Sequence, residues 1–174
     1  MESKRAARGM NSELLSARAI QPGDDRTFEE SESQFILATK ACLPADRYRV
    51  EAKPSELRDL FGERSGVVPE ASITSLATGR KFFVEVKKQG AAGNAEERAC
   101  KHHTVQFYKC LHERFGYAYH PYVTIFCESL ATNPRYTRKV IYLYEPDQYL
   151  LWVDYDRDIL KNYLVGRCAA WLDN

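Results

Sequence analysis

The central part of the chain alternates apolar and polar side chains with the period of a β-strand. This alternation predicts a strand over Lys81–Lys87. Its two faces carry Phe82, Val84 and Val86 on one side, and Phe83, Glu85 and Lys87 on the other. A second run follows Pro69-Glu70 and continues through Ile73, with Thr78-Gly79 as the turn between the two runs. The pattern therefore predicts an antiparallel hairpin.

Further apolar runs predict the rest of the fold. Strands are expected over residues 48–52, 122–127, 139–144 and 149–153, and helices over residues 32–42, 54–62, 93–115 and 159–172. The short helix is expected to bury Leu57, Leu60 and Phe61, and the long one to bury a stripe of Val105, Tyr108, Leu111 and Phe115. The pattern is that of a single α/β domain in which helices flank a mixed β-sheet. A polar leader that breaks at Pro22-Gly23 predicts a flexible N-terminal arm over residues 1–26, before a domain over residues 27–174.

Composition is that of an ordinary globular protein. The chain has 174 residues, 44% of them hydrophobic and 28% charged, with a formal net charge of +1. No apolar run approaches the roughly 20 residues that span a bilayer, and the amino terminus lacks the apolar stretch of a signal peptide. We therefore expect a cytoplasmic protein with no membrane partner. Basic side chains outnumber acidic ones between residues 80 and 114, which suits either phosphate contacts or a solvated helix surface.

The five cysteines do not indicate a disulfide framework or a zinc ribbon, because they are scattered and form no CxxC pair. A cluster of Cys and His side chains between residues 100 and 112 also fails as a zinc site. Within it, Cys110 and His112 would diverge by about 200° around a helix, which prevents shared ligation.

Two acids and a lysine make up the most specific candidate site. Glu70 begins one strand of the hairpin and Glu85 lies on its partner, so strand pairing would bring both carboxylates to one end of the sheet. Lys87 lies about 6.5 to 7 Å further along, on the same face as Glu85. Carboxylates that hold a divalent cation, with a lysine near the attacking water, suit phosphodiester hydrolysis. Alternating Glu and Lys are also common on ordinary surface strands.

A polar helix start follows this strand. Asn94 after Gly93, with Glu97 three positions later, predicts an N-cap and a capping box. The same helix end offers positive partial charge and N–H groups to phosphates and bases. Asn can pair with adenine, Arg98 would lie at the same end, and Lys101 could reach a phosphate.

Together these two segments resemble type II restriction endonucleases of the EcoRI and MunI kind, within the PD-(D/E)xK nuclease superfamily. EVKKQG is similar to the E-x-K-x-Q-G run of that family, and AAGNAEER to its AAGNAxER segment. The runs YRVEAKPSELRDLF and NPRYTRKVIYLYEPDQYLLW extend the similarity over most of residues 48–153.

The resemblance implies a magnesium-dependent enzyme that cuts double-stranded DNA at a palindromic site centred on AATT. In it, Glu70 and Glu85 would hold Mg²⁺ and Lys87 would complete the catalytic site. Gln89 would touch the inner thymine, Glu97 would order the recognition segment at a dimer interface, and the bases would be read by Ala91, Asn94, Ala95 and Arg98. A homodimer would match the two-fold site, and a cognate DNA methyltransferase would be a partner in the cell.

The chain departs from the family pattern at two points. The residue after Pro69 is Glu70 where the family has Asp, and the loop before the recognition helix is only Gly90-Ala91-Ala92. Arg135, Arg138 and Lys139 are candidates for outer-base or phosphate contacts, or for a solvated loop. Two alternative functions stay open: a catalytically silent, site-specific DNA-binding protein on the same fold, and a repair nuclease that reads DNA structure.

Overall fold

The computed structural model describes residues 28–90, 92–116 and 122–174, with the backbone alone for residues 28–31. The expected arm over residues 1–26 lies outside the described residues. Within the described part of the chain, no helix is long and apolar enough to cross a membrane.

A mixed five-stranded sheet forms the centre of the domain. Its strands, in both chain order and spatial order, are β1 (Tyr48–Ala52), β2 (Ala71–Ser75), β3 (Lys81–Lys87), β4 (Tyr122–Cys127) and β5 (Tyr149–Trp152). The first three strands are antiparallel, and β3, β4 and β5 run parallel to one another. The predicted hairpin and the predicted mixed α/β fold are confirmed.

Helices cover both faces of this sheet. They are α1 (Phe28–Cys42), α2 (Ala95–Ala99), α3 (Val105–Phe115), α4 (Ser129–Thr132), α5 (Pro134–Leu143), α6 (Arg157–Tyr163) and α7 (Ala170–Leu172). The segments Cys100–His103 and Val153–Tyr155 are 3₁₀ turns, and Leu164–Ala169 is a π-helical stretch between α6 and α7.

The alternation along β3 divides the core as predicted. Phe82, Val84 and Val86 pack with α1 and the C-terminal helices in one apolar cluster. Phe83 lies on the opposite face, in a second cluster with Leu111 of α3. The middle strands are buried on both faces because helices or loops lie over each. Glu85 is consequently held inside the protein and not on an open surface.

The predicted single helix over residues 93–115 is wrong. Thr104 is extended (φ −82°, ψ 151°) and its hydroxyl accepts a hydrogen bond from the Phe107 amide, so a new helix begins there. Val105 is consequently 72% exposed, and the buried stripe of α3 consists of Phe107 and Leu111. The break at Thr104 therefore separates α2 from α3.

The predicted strand over residues 139–144 is also wrong, because this segment belongs to α5. Asn133 accepts a hydrogen bond from the Arg135 amide at 2.9 Å, and Pro134 occupies the first helical position, where its missing N–H costs nothing. Tyr136, Val140 and Tyr144 are buried at four-residue spacing. This start and this burial outweigh the local strand preference of the segment.

Residues 54–62 form successive turns and not the predicted short helix. Their backbone groups bond to a later loop: the Val67 amide donates to Leu57 and the Phe61 amide to Ser65. Leu57 and Leu60 are buried as expected, whereas Phe61 is 52% exposed.

Candidate active site

Pairing of β2 with β3 brings two carboxylates together at one end of the sheet. Ala71 lies opposite Val84, so Glu70, one residue earlier, lies beside Glu85 on the neighbouring strand. Glu85 is 6% exposed and Glu70 is half-buried. The structure thus brings together the two acids that the sequence singled out.

Both carboxylate oxygens of Glu85 have a partner. Lys87 projects from the same strand face and forms an ion pair with Oε1. The hydroxyl of Tyr122, on the adjacent strand β4, donates a hydrogen bond to Oε2 at 3.1 Å. Burial and the charge of Glu85 raise the pKa of Tyr122 well above its usual value, so this hydroxyl keeps its proton and remains a donor.

A third carboxylate, Glu32 of α1, lies beside Glu70 and was missed by the sequence analysis. Glu32 shares a hydrogen bond with Glu70, and its Oε2 lies 3.4 Å from Nζ of Lys53. The Lys53 amide in turn donates to the Glu70 carbonyl at 2.9 Å, which fixes this residue beside the site. No local pattern distinguishes Glu32 from the other acidic residues around it.

The crowding of these acids changes the ionisation of Glu70. Burial, the hydrogen bond with Glu32 and the charge of Glu85 raise the pKa of Glu70 to about 8, although Lys87 acts in the opposite direction. Like charges in a poorly solvated site favour uptake of a proton or of a cation. The cluster therefore has the electrostatic character of a cation site.

His102 packs against the ring of Tyr122. Its ring centroid lies 5.0 Å from that of Tyr122 and 5.7 Å from that of Phe107, and the residue is 3% exposed. Burial, with the charges of Lys101 and Lys87, lowers the pKa of His102 to about 3. The imidazole is consequently neutral at physiological pH and adds no positive charge to the site.

The segment predicted to read bases begins with an unexpected helix cap. The side chain of Asn94 makes no capping hydrogen bond. Gln89, from the loop after β3, takes this place: its Oε1 accepts a hydrogen bond from the Ala95 amide at 2.8 Å. The predicted capping box of Asn94 and Glu97 is therefore wrong, because an acceptor from the preceding loop competes successfully for the helix end.

The predicted DNA-contacting residues divide into an exposed and a buried group. Asn94, Arg98 and Lys101 are exposed. Gln89 is 7% exposed and Ala95 is 3% exposed, so both lie inside the protein. Ala91 falls outside the described residues. The roles of all six in DNA binding remain predictions.

A buried acid anchors α2 to α5. Glu96 is fully buried, and its Oε1 lies 3.1 Å from Nζ of Lys139, which also contacts Oε1 of Glu97 at 2.5 Å. The hydroxyl of Tyr144 donates to the Glu96 carbonyl at 2.5 Å. Lys139, a candidate for DNA contact, is therefore ion-paired with Glu96 and Glu97 of its own chain. Glu97, expected to order the recognition segment, takes part in this anchor.

Comparisons with known proteins agree with this geometry. The family described as Type II restriction enzyme MunI matches residues 62–167, more than half of the chain. No curated protein matches. Among solved structures, the crystal structure of MunI restriction endonuclease in complex with cognate DNA has the same fold, with a TM-score of 0.64 and 22% sequence identity over 73% of this chain and 83% of that one. The chain thus belongs to the MunI family of type II restriction enzymes and is a type II restriction endonuclease.

Proposed function

We propose that the protein cuts double-stranded DNA with Mg²⁺ as cofactor, at a palindromic site centred on AATT, as a homodimer. The observation that carries the proposal is the meeting of Glu70, Glu85 and Lys87 at one end of the sheet. These three residues form the proposed catalytic site, with the two acids as metal ligands. The family to which the chain belongs consists of metal-dependent nucleases, and its MunI member has been crystallised with cognate DNA.

The chemistry of the donor set fits a hard divalent cation. Its candidate ligands are carboxylate oxygens, which Mg²⁺ prefers. Burial is the main reason for the raised pKa of Glu70, with the hydrogen bond from Glu32 and the charge of Glu85 adding to it, and a bound cation would favour the ionised carboxylate. Among the described residues, no three His, Cys, Asp or Glu side chains converge as a complete metal cage. Mg²⁺ needs no such cage, since it commonly keeps several waters and uses one or two protein carboxylates.

A bound cation would lower the pKa of a water molecule and offset charge on the scissile phosphate. The protein's own groups have separate tasks. Tyr122 and Lys87 hold the two oxygens of Glu85 in a fixed orientation, and Glu70 provides the second acid. Lys87, 24% exposed at its side chain, can turn from Glu85 to orient the attacking water or stabilise charge on the phosphate.

Reading of the AATT sequence is assigned to the segment after β3. The exposed Asn94 and Arg98 would contact base edges in the major groove, and Lys101 a phosphate. The family motif implies three further residues that contact the bases, which are Gln89, Ala91 and Ala95. The segment suits this role because α5 holds α2 rigidly through Lys139, and rigid placement is required for discrimination between bases.

Exposed apolar residues support the homodimer. On the outer side of α5, Ile141 is 61%, Tyr142 93% and Leu143 46% exposed, and Val105 of α3 is 72% exposed beside them. Val105 and the three α5 residues line one groove. An apolar patch of this kind commonly marks a protein interface. It lies on the helix that holds α2, so a second copy bound here would set the two recognition segments at a fixed spacing.

The test is cleavage of a supercoiled plasmid that carries one AATT-centred palindrome, with Mg²⁺ or with EDTA. We expect linear product only with Mg²⁺, and none when AATT is changed to TTAA. The matched control is Lys87→Met, which keeps most of the length of the side chain and removes its charge. Absence of cutting with both Mg²⁺ and Mn²⁺, or equal cutting of both plasmids, would contradict the proposal.

A further inference from the structure

We propose that Gln89 is a positioning residue that caps α2. By this cap it links β3, which carries the proposed catalytic residues, to the helix that would read the bases. The inference rests on the proposed function, since it explains how base reading at α2 and catalysis at β3 depend on each other. Gln89 then acts on sequence discrimination through the position of the helix, beyond any contact of its own with a base.

The first support is the hydrogen bond itself. Oε1 of Gln89 lies 2.8 Å from the Ala95 amide nitrogen, and the side chain is 7% exposed. A backbone N–H can only donate, so the oxygen of the side-chain amide must face it, and the orientation of Gln89 is fixed. Because Asn94 makes no side-chain cap, Gln89 satisfies a helix-end donor that would otherwise lack this partner.

The second support is the backbone that surrounds Gln89. Gly93 has φ +144°, a conformation that L side chains rarely adopt. A Cβ atom at this position would lie 2.3 Å from Oε1 and 2.6 Å from Cδ of Gln89. Any larger residue would therefore push the Gln89 side chain away from Ala95, and the glycine is required for the cap.

The third support is the position of Gln89 between the two functional segments. It lies two residues after Lys87, which pairs with Glu85, and α2 packs directly against β3. A movement of α2 against DNA would thus be transmitted over two residues to the proposed catalytic lysine. The other amide atom, Nε2, is buried and has no hydrogen-bond partner among the described residues. Acceptor and donor must therefore be tested separately.

Two substitutions of similar size separate the effect of the acceptor from that of the donor. Gln89→Glu keeps an acceptor oxygen and removes the donor, whereas Gln89→Met removes both. We expect the Ala95 amide in Gln89→Met to exchange its hydrogen about fivefold faster by NMR, a typical loss for one helix cap. The ratio of kcat/KM for an AATT site over a one-base variant should fall roughly tenfold in Gln89→Met and clearly less in Gln89→Glu, which keeps the cap and loses only what Nε2 contributes.

Gly93→Ala removes the same hydrogen bond in a different way, because the added Cβ atom displaces the Gln89 side chain. It should reproduce the faster exchange and the lower ratio, and combining it with Gln89→Met should change these two readouts little further, because both remove one hydrogen bond. The strain of a side chain at φ +144° should lower the stability of Gly93→Ala as well, so only the exchange and the ratio are compared. This variant also keeps the test decisive if Gln89→Met fails to fold.

Three results would overturn the inference. Unchanged exchange at Ala95 in both Gln89→Met and Gly93→Ala would show that no cap exists. Faster exchange with an unchanged ratio would reduce Gln89 to a structural role, and an equal fall of the ratio in the Glu and Met variants would assign the effect to Nε2. A wild-type protein that cuts no DNA would instead refute the proposed function, while exchange at Ala95 would still decide whether Gln89 holds α2.

Discussion

The substitution Tyr122→Phe removes one hydroxyl from the centre of the candidate site. Tyr122 is fully buried, and its hydroxyl donates to a Glu85 carboxylate that is itself 6% exposed. The phenylalanine ring fills the same space, so the change deletes a hydrogen bond without a large cavity. A hydrogen bond to a charged group contributes about 1.5–3 kcal/mol, and in a domain of this size each kcal/mol shifts Tm by about 2–4 °C. We therefore expect Tm to fall by roughly 3–12 °C.

The measurement is thermal and urea unfolding without metal, beside Tyr142→Phe as a control. Tyr142 is 93% exposed in the single chain, and Tyr142→Phe keeps the apolar ring that the proposed dimer interface would bury, so the control should stay within about 0.5 kcal/mol of the wild type. Because Glu85 then keeps only Lys87 as a partner, cleavage by Tyr122→Phe at saturating Mg²⁺ should also slow, with DNA binding less affected. A Tyr122→Phe protein as stable as the wild type would refute the idea that this hydroxyl supports the carboxylate.

The other predictions concern the charges of the site and the surface of α5. Lys87→Met should lower the cleavage rate by about a hundredfold or more and leave DNA binding in a mobility-shift assay nearly intact; an equal loss of both would contradict its role. Glu32→Gln removes one of three clustered carboxylates, so above pH 8, where Glu70 is ionised, the metal-free variant should be more stable than the wild type, and Mg²⁺ should raise its Tm less than that of the wild type; a larger Mg²⁺ shift would count against the cluster. Because the folded pKa of His102 is about 3 and its ordinary value is 6.5, the unfolded chain takes up a proton as pH falls through this range while the folded chain does not. This residue, which faces Lys87 and Lys101, should therefore cost about 2 kcal/mol of stability at pH 5 relative to pH 8; His102→Leu should remove that loss in urea unfolding, and an unchanged pH dependence would disprove it. Tyr142→Glu should convert a dimer to a monomer in sedimentation velocity, whereas a persistent dimer would exclude this face as the interface.

Local periodicity predicted the part of the site that depends on strands. The alternation along β3 and its pairing with β2 determine which side chains share a face, so the meeting of Glu70 and Glu85 followed from sequence alone. Glu32 did not follow, because it reaches the site from α1 through tertiary packing. No periodic pattern records such a contact.

The helical segments were harder to predict for a related reason. The Asn94 cap was wrong because local preference could not reveal that Gln89, from the preceding loop, would supply the acceptor. The strand expected at residues 139–144 was wrong because burial of Tyr136 and Val140 beside α2 favours a helix. In both cases a contact from outside the segment overrode a local preference.

The most direct test of the account is to sequence the DNA ends produced from a phage-sized genome by the wild-type protein in Mg²⁺. If Glu70, Glu85 and Lys87 cut beside a helix that reads AATT, every end should map to a palindrome with AATT at its centre. Ends scattered over unrelated sequences, or an intact genome, would contradict the account.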